Sequence, residues 1–126
     1  MNAPDILSGL RILIVEDEML VALLVEDTLT NYAGTVIGVA ASVKAAMDIV
    51  ATQQIDAAVM DVNIAGEVAY PVAEYLDAHA IPFIFVSGYG QSAVPANRPE
   101  WRVCAKPFRG EDMVAMLNAQ VMRKRA

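Results

Sequence analysis

The sequence predicts an α/β fold: a doubly wound, five-stranded parallel sheet in the order 2-1-3-4-5, with helices on both faces. Two observations carry this. Short β-rich apolar runs alternate with helical patterns along the chain, the signature of parallel strands buried on both sides. Four of the runs also end against polar residues. Val15 precedes Glu16-Asp17, Met60 precedes Asp61, Val86 precedes Ser87, and Ala105 precedes Lys106. In an open parallel sheet the carboxyl edge of the strands is where ligands bind.

The first strand is predicted over about Arg11 to Val15. A helix follows from near Glu18 to Asn31, with Leu20, Leu23 and Leu24 on its apolar face and Asp27 on its polar one. Gly34 lies near its terminating position. The second strand covers about Thr35 to Ala40, and Ser42 is placed to cap a helix from about Val43 to Gln53. The third strand covers about Ala57 to Met60, and Asn63-Ile64-Ala65-Gly66 reads as a loop. A third helix over about Val68 to Ala78 tolerates Pro71 in its first turn, where an N–H has no helical partner to lose. The fourth strand is about Phe83 to Val86. Gly88, Gly90, Pro95 and Pro99 then crowd the stretch from Ser87 to Trp101, so the fourth helix is expected to be short or mobile. The fifth strand is about Arg102 to Ala105. The last helix covers about Gly110 to Met122, with Met113, Val114, Leu117 and Val121 inward. Right-handed crossovers in this order bring Glu16, Asp17 and Asp61 into one crevice.

The 126 residues suit a single domain, 1–126, with an ordered core of about 9–123. An apolar fraction of 56% excludes a disordered chain. No apolar run approaches the roughly 18 residues of a membrane span. The start, Met1-Asn2-Ala3-Pro4-Asp5, lacks the features of a signal peptide. One cysteine, Cys104, allows no internal disulfide and fits a reducing cytoplasm. A net charge of -6 argues against nucleic acid as a partner. The short basic run Arg123-Lys124-Arg125 suits the negative end of a helix dipole.

The polar residues at the strand ends point to magnesium and a phosphoryl group. Magnesium takes hard oxygen ligands and keeps several waters. Asp17 and Asp61 can each give a carboxylate oxygen, the backbone carbonyl of Asn63 a third ligand, and Glu16 can hold a bound water. Clustered carboxylates repel one another, and a cation compensates them. Asp61 lies where a carboxylate can attack phosphorus. Ser87 can donate a hydrogen bond to a phosphoryl oxygen, and Lys106 can neutralise another. Gly88 leaves room for its own N–H to approach. Each residue has a plainer reading alone, as a helix cap, a turn or a solvated amine. Together and in this order they read as a site.

With these residues in place, the whole chain resembles a response-regulator receiver domain of bacterial two-component signalling. The matching elements are Val15-Glu16-Asp17-Glu18, Met60-Asp61-Val62-Asn63, Ser87-Gly88 and Lys106-Pro107-Phe108. The resemblance implies that Asp61 is a phosphoacceptor, served by a histidine kinase or phosphotransfer protein. It implies that Glu16, Asp17 and Asp61 are magnesium acids, and that Ser87 and Lys106 sense the phosphate. A cis Lys106-Pro107 bond is expected, an isomer open to X-Pro peptides. Pro82-Phe83-Ile84-Phe85-Val86-Ser87-Gly88-Tyr89 is similar to the PFxFATGY motif of receivers associated with HWE-type histidine kinases, with Val86 and Ser87 in place of Ala and Thr. Typical receivers carry Tyr or Phe three residues before the lysine. Here that position is Val103, so the expected relay moves to Tyr89, Phe85 or the segment after Tyr89. Asn63 and Tyr89 are expected to flank the phosphoryl group and tune its lifetime.

His79, near a helix end, reads as a terminal residue rather than a catalyst. Cys104 and the methionines read as core, and Trp101 either anchors its loop or meets a partner. The function expected is a phosphoacceptor switch in the cytoplasm, not an enzyme. No output module follows the last helix, so it would act by contact with a protein partner, and a second copy of the chain is another candidate. Three other classes compete. A phosphorylation-independent adaptor is kept open by Val103. A phosphohydrolase needs a second aspartate two residues after the nucleophile, where Asn63 stands. A flavin protein would need a phosphate cradle where Glu16-Asp17-Glu18 would repel phosphate.

Overall fold

The structure, a computed structural model, describes residues 5–125. The start read for a signal peptide, apart from Asp5, and both ends of the expected 1–126 domain lie outside the described residues. The sheet contains β1 (Arg11–Val15), β2 (Thr35–Ala40), β3 (Ala57–Asp61), β4 (Phe83–Ser87) and β5 (Val103–Ala105). All neighbours are parallel, in the order β2-β1-β3-β4-β5. Four α-helices cover it: α1 (Met19–Asn31), α2 (Val43–Thr52), α3 (Tyr70–Ala78) and α4 (Gly110–Arg125).

Strand residues alternate between two apolar layers, as the pleat requires. Leu13, Val15, Ala58, Met60, Phe83, Phe85 and Val103 face one layer, with α2 and α3. Ile12, Ile14, Ala57, Val59, Ile84, Val86 and Cys104 face the other, with α1 and α4. Because both faces are buried, the strands read as continuous apolar runs. Register then fixes the site. Val15 lies opposite Met60, and Asp61 opposite Val86. Glu16 therefore emerges level with Asp61 at the carboxyl edge. Ser87 lies opposite Ala105, one residue before Lys106.

Four expectations need correction. The inward face of α1 is Ala22, Val25 and Leu29, while Leu20, Leu23 and Leu24 are exposed, Leu20 by 82%. The helix carries two apolar stripes, and the one with smaller side chains packs closer to the sheet. At its end Ala33 takes the left-handed conformation (φ 69°), not Gly34. Gly34 serves a close approach instead: a Cβ there would stand 2.8 Å from Ile12 Cδ1. Third, Asn63–Gly66 is more than a loop. Asn63–Ile64 pairs antiparallel with Glu67–Val68 across a turn with two positive φ values, Ala65 at 51° and Gly66 at 84°. This hairpin delays the third helix to Tyr70. Fourth, Met19 and Met122 are exposed, so the methionines are not all core.

Other local readings match. Ser42 Oγ accepts the Ala45 N–H at 3.0 Å as the α2 cap. Pro71 lies in the first turn of α3, and Arg123, Lys124 and Arg125 form the last turn of α4. His79 caps the end of α3, its ring stacked on Tyr75 at 4.1 Å.

In place of a fourth α-helix there is a four-residue 3₁₀ turn, Gly90–Ala93. It is short, as expected, and it is pinned. The Tyr70 hydroxyl donates to the Ala93 carbonyl at 2.7 Å. The Gln91 side chain binds Trp101 and Val103. Trp101 is 2% exposed, and its indole N–H donates to Asp77 Oδ2 at 2.6 Å. It anchors the loop.

Candidate functional site

The site lies where β1, β3, β4 and β5 deliver polar residues to one edge. Lys106 Nζ donates to Asp61 Oδ2 at 2.9 Å and stands 3.7 Å from Glu16 Oε1. Asp61 Oδ1 accepts the Asn63 N–H at 3.3 Å. Glu16 is buried, and its Oε2 accepts the Glu18 N–H at 3.1 Å. Its Oε1 is a buried polar atom with no hydrogen-bond partner. Asp17 Oδ2 accepts the Ala65 N–H at 2.9 Å, so the hairpin after Asp61 docks onto an acid from the first strand.

Ser87 is buried, and its Oγ accepts the Tyr89 N–H at 3.1 Å rather than reaching Asp61 or Lys106. The Lys106 N–H donates to the Ser87 carbonyl at 2.8 Å, tying the two residues through the backbone. Gly88 stands in open space, with nothing within 4 Å of a built Cβ. Tyr89 and Asn63 are exposed on the rim. Val103 is buried in the core layer of Phe85 and Trp101. The Lys106-Pro107 bond is cis.

Electrostatics follow from this packing. Burial is the largest cause pushing the Glu16 carboxyl up to about 7; the Glu18 N–H opposes it, and the charge of Asp61 adds to it. Burial alone would lower Lys106, but its hydrogen bond to Asp61 and the fields of Asp61, Glu16 and Glu18 raise it overall.

Among the described residues, no three His, Cys, Asp or Glu side chains are arranged to hold a metal ion. The expected convergence of Glu16, Asp17 and Asp61 is therefore not a ready carboxylate cage. Asp17 is turned to Ala65, and Asp61 to Lys106. A hydrated magnesium ion needs only one or two carboxylates and keeps its waters. The unpartnered, buried Glu16 Oε1 beside Asp61 fits a bound water or cation. The hairpin contact through Ala65 left no trace in the sequence, because a backbone N–H carries no residue code.

The family profile described as "Response regulator receiver domain" matches residues 12–118. The chain belongs to the response-regulator receiver family. This receiver is similar to the solution structure of SdrG from Sphingomonas melonis Fr1, with 40% identity, a TM-score of 0.77, and coverage of 97% of this chain and 99% of that one. The BeF3-activated conformation of SdrG from Pseudomonas melonis Fr1 is 40% identical, with a TM-score of 0.73 over 89% of this receiver and 95% of that chain. The response regulator PhyR from Brucella abortus gives a TM-score of 0.82 at 20% identity. This receiver is covered over 98% of its length and spans 53% of PhyR, so that likeness concerns the fold alone. A search of curated proteins finds no match.

A pH dependence follows from Glu16. Its folded pKa of about 7 lies above the ordinary 4.5, so between these values the folded receiver holds the proton more tightly than the unfolded chain. That stability is full below about pH 4.5 and is lost as pH rises through about 7, a change on the order of 3 kcal/mol. Urea unfolding of metal-free protein should therefore show stability falling from about pH 5 to about pH 8, with most of the slope absent in Glu16→Gln. Equal slopes in the two proteins would contradict a raised pKa at the buried Glu16.

Among the described residues, no helix is long and apolar enough to cross a membrane.

Proposed function

We propose that this receiver is a phosphoacceptor switch. Asp61 takes a phosphoryl group from a phosphohistidine of a partner kinase or phosphotransfer protein in a magnesium-dependent reaction. The phosphorylated form then binds a protein partner differently. The observation that carries this is Asp61 at the end of β3, paired with Lys106 at 2.9 Å beside the unpartnered oxygen of Glu16.

In the transfer an Asp61 carboxylate oxygen forms a bond to phosphorus while the N–P bond to imidazole breaks. The electron pair stays on the imidazole nitrogen, which then takes a proton. Lys106 shifts its hydrogen bond from the carboxylate to a new phosphoryl oxygen. Ser87 turns its hydroxyl to donate to another. Asp17, Asp61 and the Asn63 carbonyl would hold the metal, with Glu16 acting through a water. Bound magnesium neutralises charge on the phosphoryl oxygens and the acids. Phosphorylation replaces the single carboxylate charge of Asp61 with a phosphoryl charge of about -1.5 to -2, a net gain of about one negative charge or less, and a partner must prefer one of two conformations for this to signal.

Nothing here requires turnover of an outside substrate. A phosphohydrolase lacks its general acid, because Asn63 stands at that position. The SdrG relative at 40% identity has a BeF3-activated conformation, and beryllofluoride imitates a phosphoryl group on a carboxylate. That likeness supports the switch. The Pro82-to-Tyr89 segment supports an HWE-type kinase as phosphoryl source. PhyR from Bartonella quintana is described as an anti-anti-sigma factor, but at 22% identity only the fold carries over. Val103 favours a second reading, a phosphorylation-independent adaptor.

Incubation with acetyl phosphate should add one phosphoryl group to the intact mass with magnesium present and none with EDTA. A partner bound equally well by modified and unmodified protein would favour the adaptor.

A further inference from the structure

We infer that Gln91 is a positioning residue that couples Ser87 to Trp101, serving where Val103 offers no ring. This rests on the phosphoacceptor reading above.

Gln91 lies in the 3₁₀ turn, four residues after Ser87. Its amide makes two bonds to the backbone around the start of β5. Nε2 donates to the Trp101 carbonyl at 2.6 Å, and Oε1 accepts the Val103 N–H at 3.1 Å. On its other side β5 pairs with β4, so this one side chain occupies the outer edge as a neighbouring strand would.

The same turn is joined to the site. Ser87 Oγ accepts the Tyr89 N–H at 3.1 Å, and the Ser92 hydroxyl donates to the Tyr89 carbonyl at 2.7 Å. Two soft joints lie between Ser87 and Gln91: Gly88 in open space, and Gly90 at φ 59°. When the Ser87 side chain rotates about χ1 and carries Oγ toward a phosphoryl oxygen, the Tyr89 N–H loses its acceptor. The turn relaxes, and Gln91 moves with it.

Trp101 is built to register that movement. Its ring packs against Tyr70 at 5.7 Å, Phe85 at 5.9 Å and Phe83 at 6.2 Å. Tyr70 also holds the far end of the turn through Ala93. A pull on the Trp101 carbonyl is thus felt by a rigid aromatic cluster against α3. A plain edge-covering role for Gln91 would stabilise β5 without linking it to the phosphoryl state.

The sequence contains a single tryptophan beside four tyrosines, so emission excited at the red edge, where only indole absorbs, reports this position alone. The test follows emission and intact mass on the same samples after acetyl phosphate and magnesium. The parent should change emission in step with its adduct. Gln91→Met keeps the side chain's length but deletes both hydrogen bonds. It should gain the adduct as the parent does, with an emission change reduced at least about fivefold. Gln91→Ala, at an exposed position, is the second variant and should behave alike. A full emission change in adduct-bearing variants would overturn the coupling. So would parent emission that ignores the adduct, or variants that gain no adduct while the parent does. A parent that gains no adduct from acetyl phosphate or from a cognate kinase removes the phosphoacceptor reading itself, and the coupling with it.

Discussion

Asp61→Asn should gain no phosphoryl group under conditions that fully modify the parent, while staying folded. An amide lacks the carboxylate's nucleophilic oxygen, so the acyl phosphate cannot form. Folding is little affected, because two terms oppose each other. The pair with Lys106 is lost, but its side chains are partly exposed, and such pairs contribute about 1 kcal/mol or less. In return the buried Glu16 loses a like charge that raises its pKa. Unfolding midpoints of parent and variant should agree to within about 1 kcal/mol in stability. A variant that still gains the adduct would move the phosphoacceptor elsewhere. A variant that unfolds would make Asp61 structural.

Trp101→Ala should cost about 3–5 kcal/mol, the largest stability loss expected of any single truncation here. The indole is 2% exposed and packs on three other rings. Removing it leaves a cavity between the 3₁₀ turn, β4 and α3. It also strips Asp77 of its indole donor, leaving a carboxylate with a poorer set of partners. Denaturant unfolding should show a lower midpoint with an unchanged slope, and Trp101→Phe should recover most of the loss. A cost below about 1 kcal/mol would mean that the loop does not depend on this anchor.

The sheet was legible because every strand is short and rich in apolar residues, and four of the five end in a chemical marker. Asp61 and Ser87 are the last paired residues of β3 and β4, and Glu16 and Lys106 stand one step past the registers of β1 and β5, which is why the site was legible too. Side-chain orientation was not. In α1 the leucines outweigh Ala22 and Val25 in apolar content, yet packing distance favours the smaller stripe. The hairpin after Asp61 was missed because Ala65 fills a turn position usually given to Asn, Asp or Gly. Gln91 gave no signal, since its role depends on two backbone groups ten and twelve residues away. The crevice itself was read as three converging acids. In the fold Asp17 turns one oxygen to Ala65, while Lys106 lies against both Asp61 and Glu16.

The most direct test is chemical location of the phosphoryl group. Borohydride reduces an aspartyl phosphate to homoserine, which peptide mass spectrometry can place in the chain. After acetyl phosphate and magnesium, homoserine is expected at position 61 and nowhere else. A modified protein with Asp61 unreduced, and the phosphoryl group on another residue, would contradict the phosphoacceptor assignment.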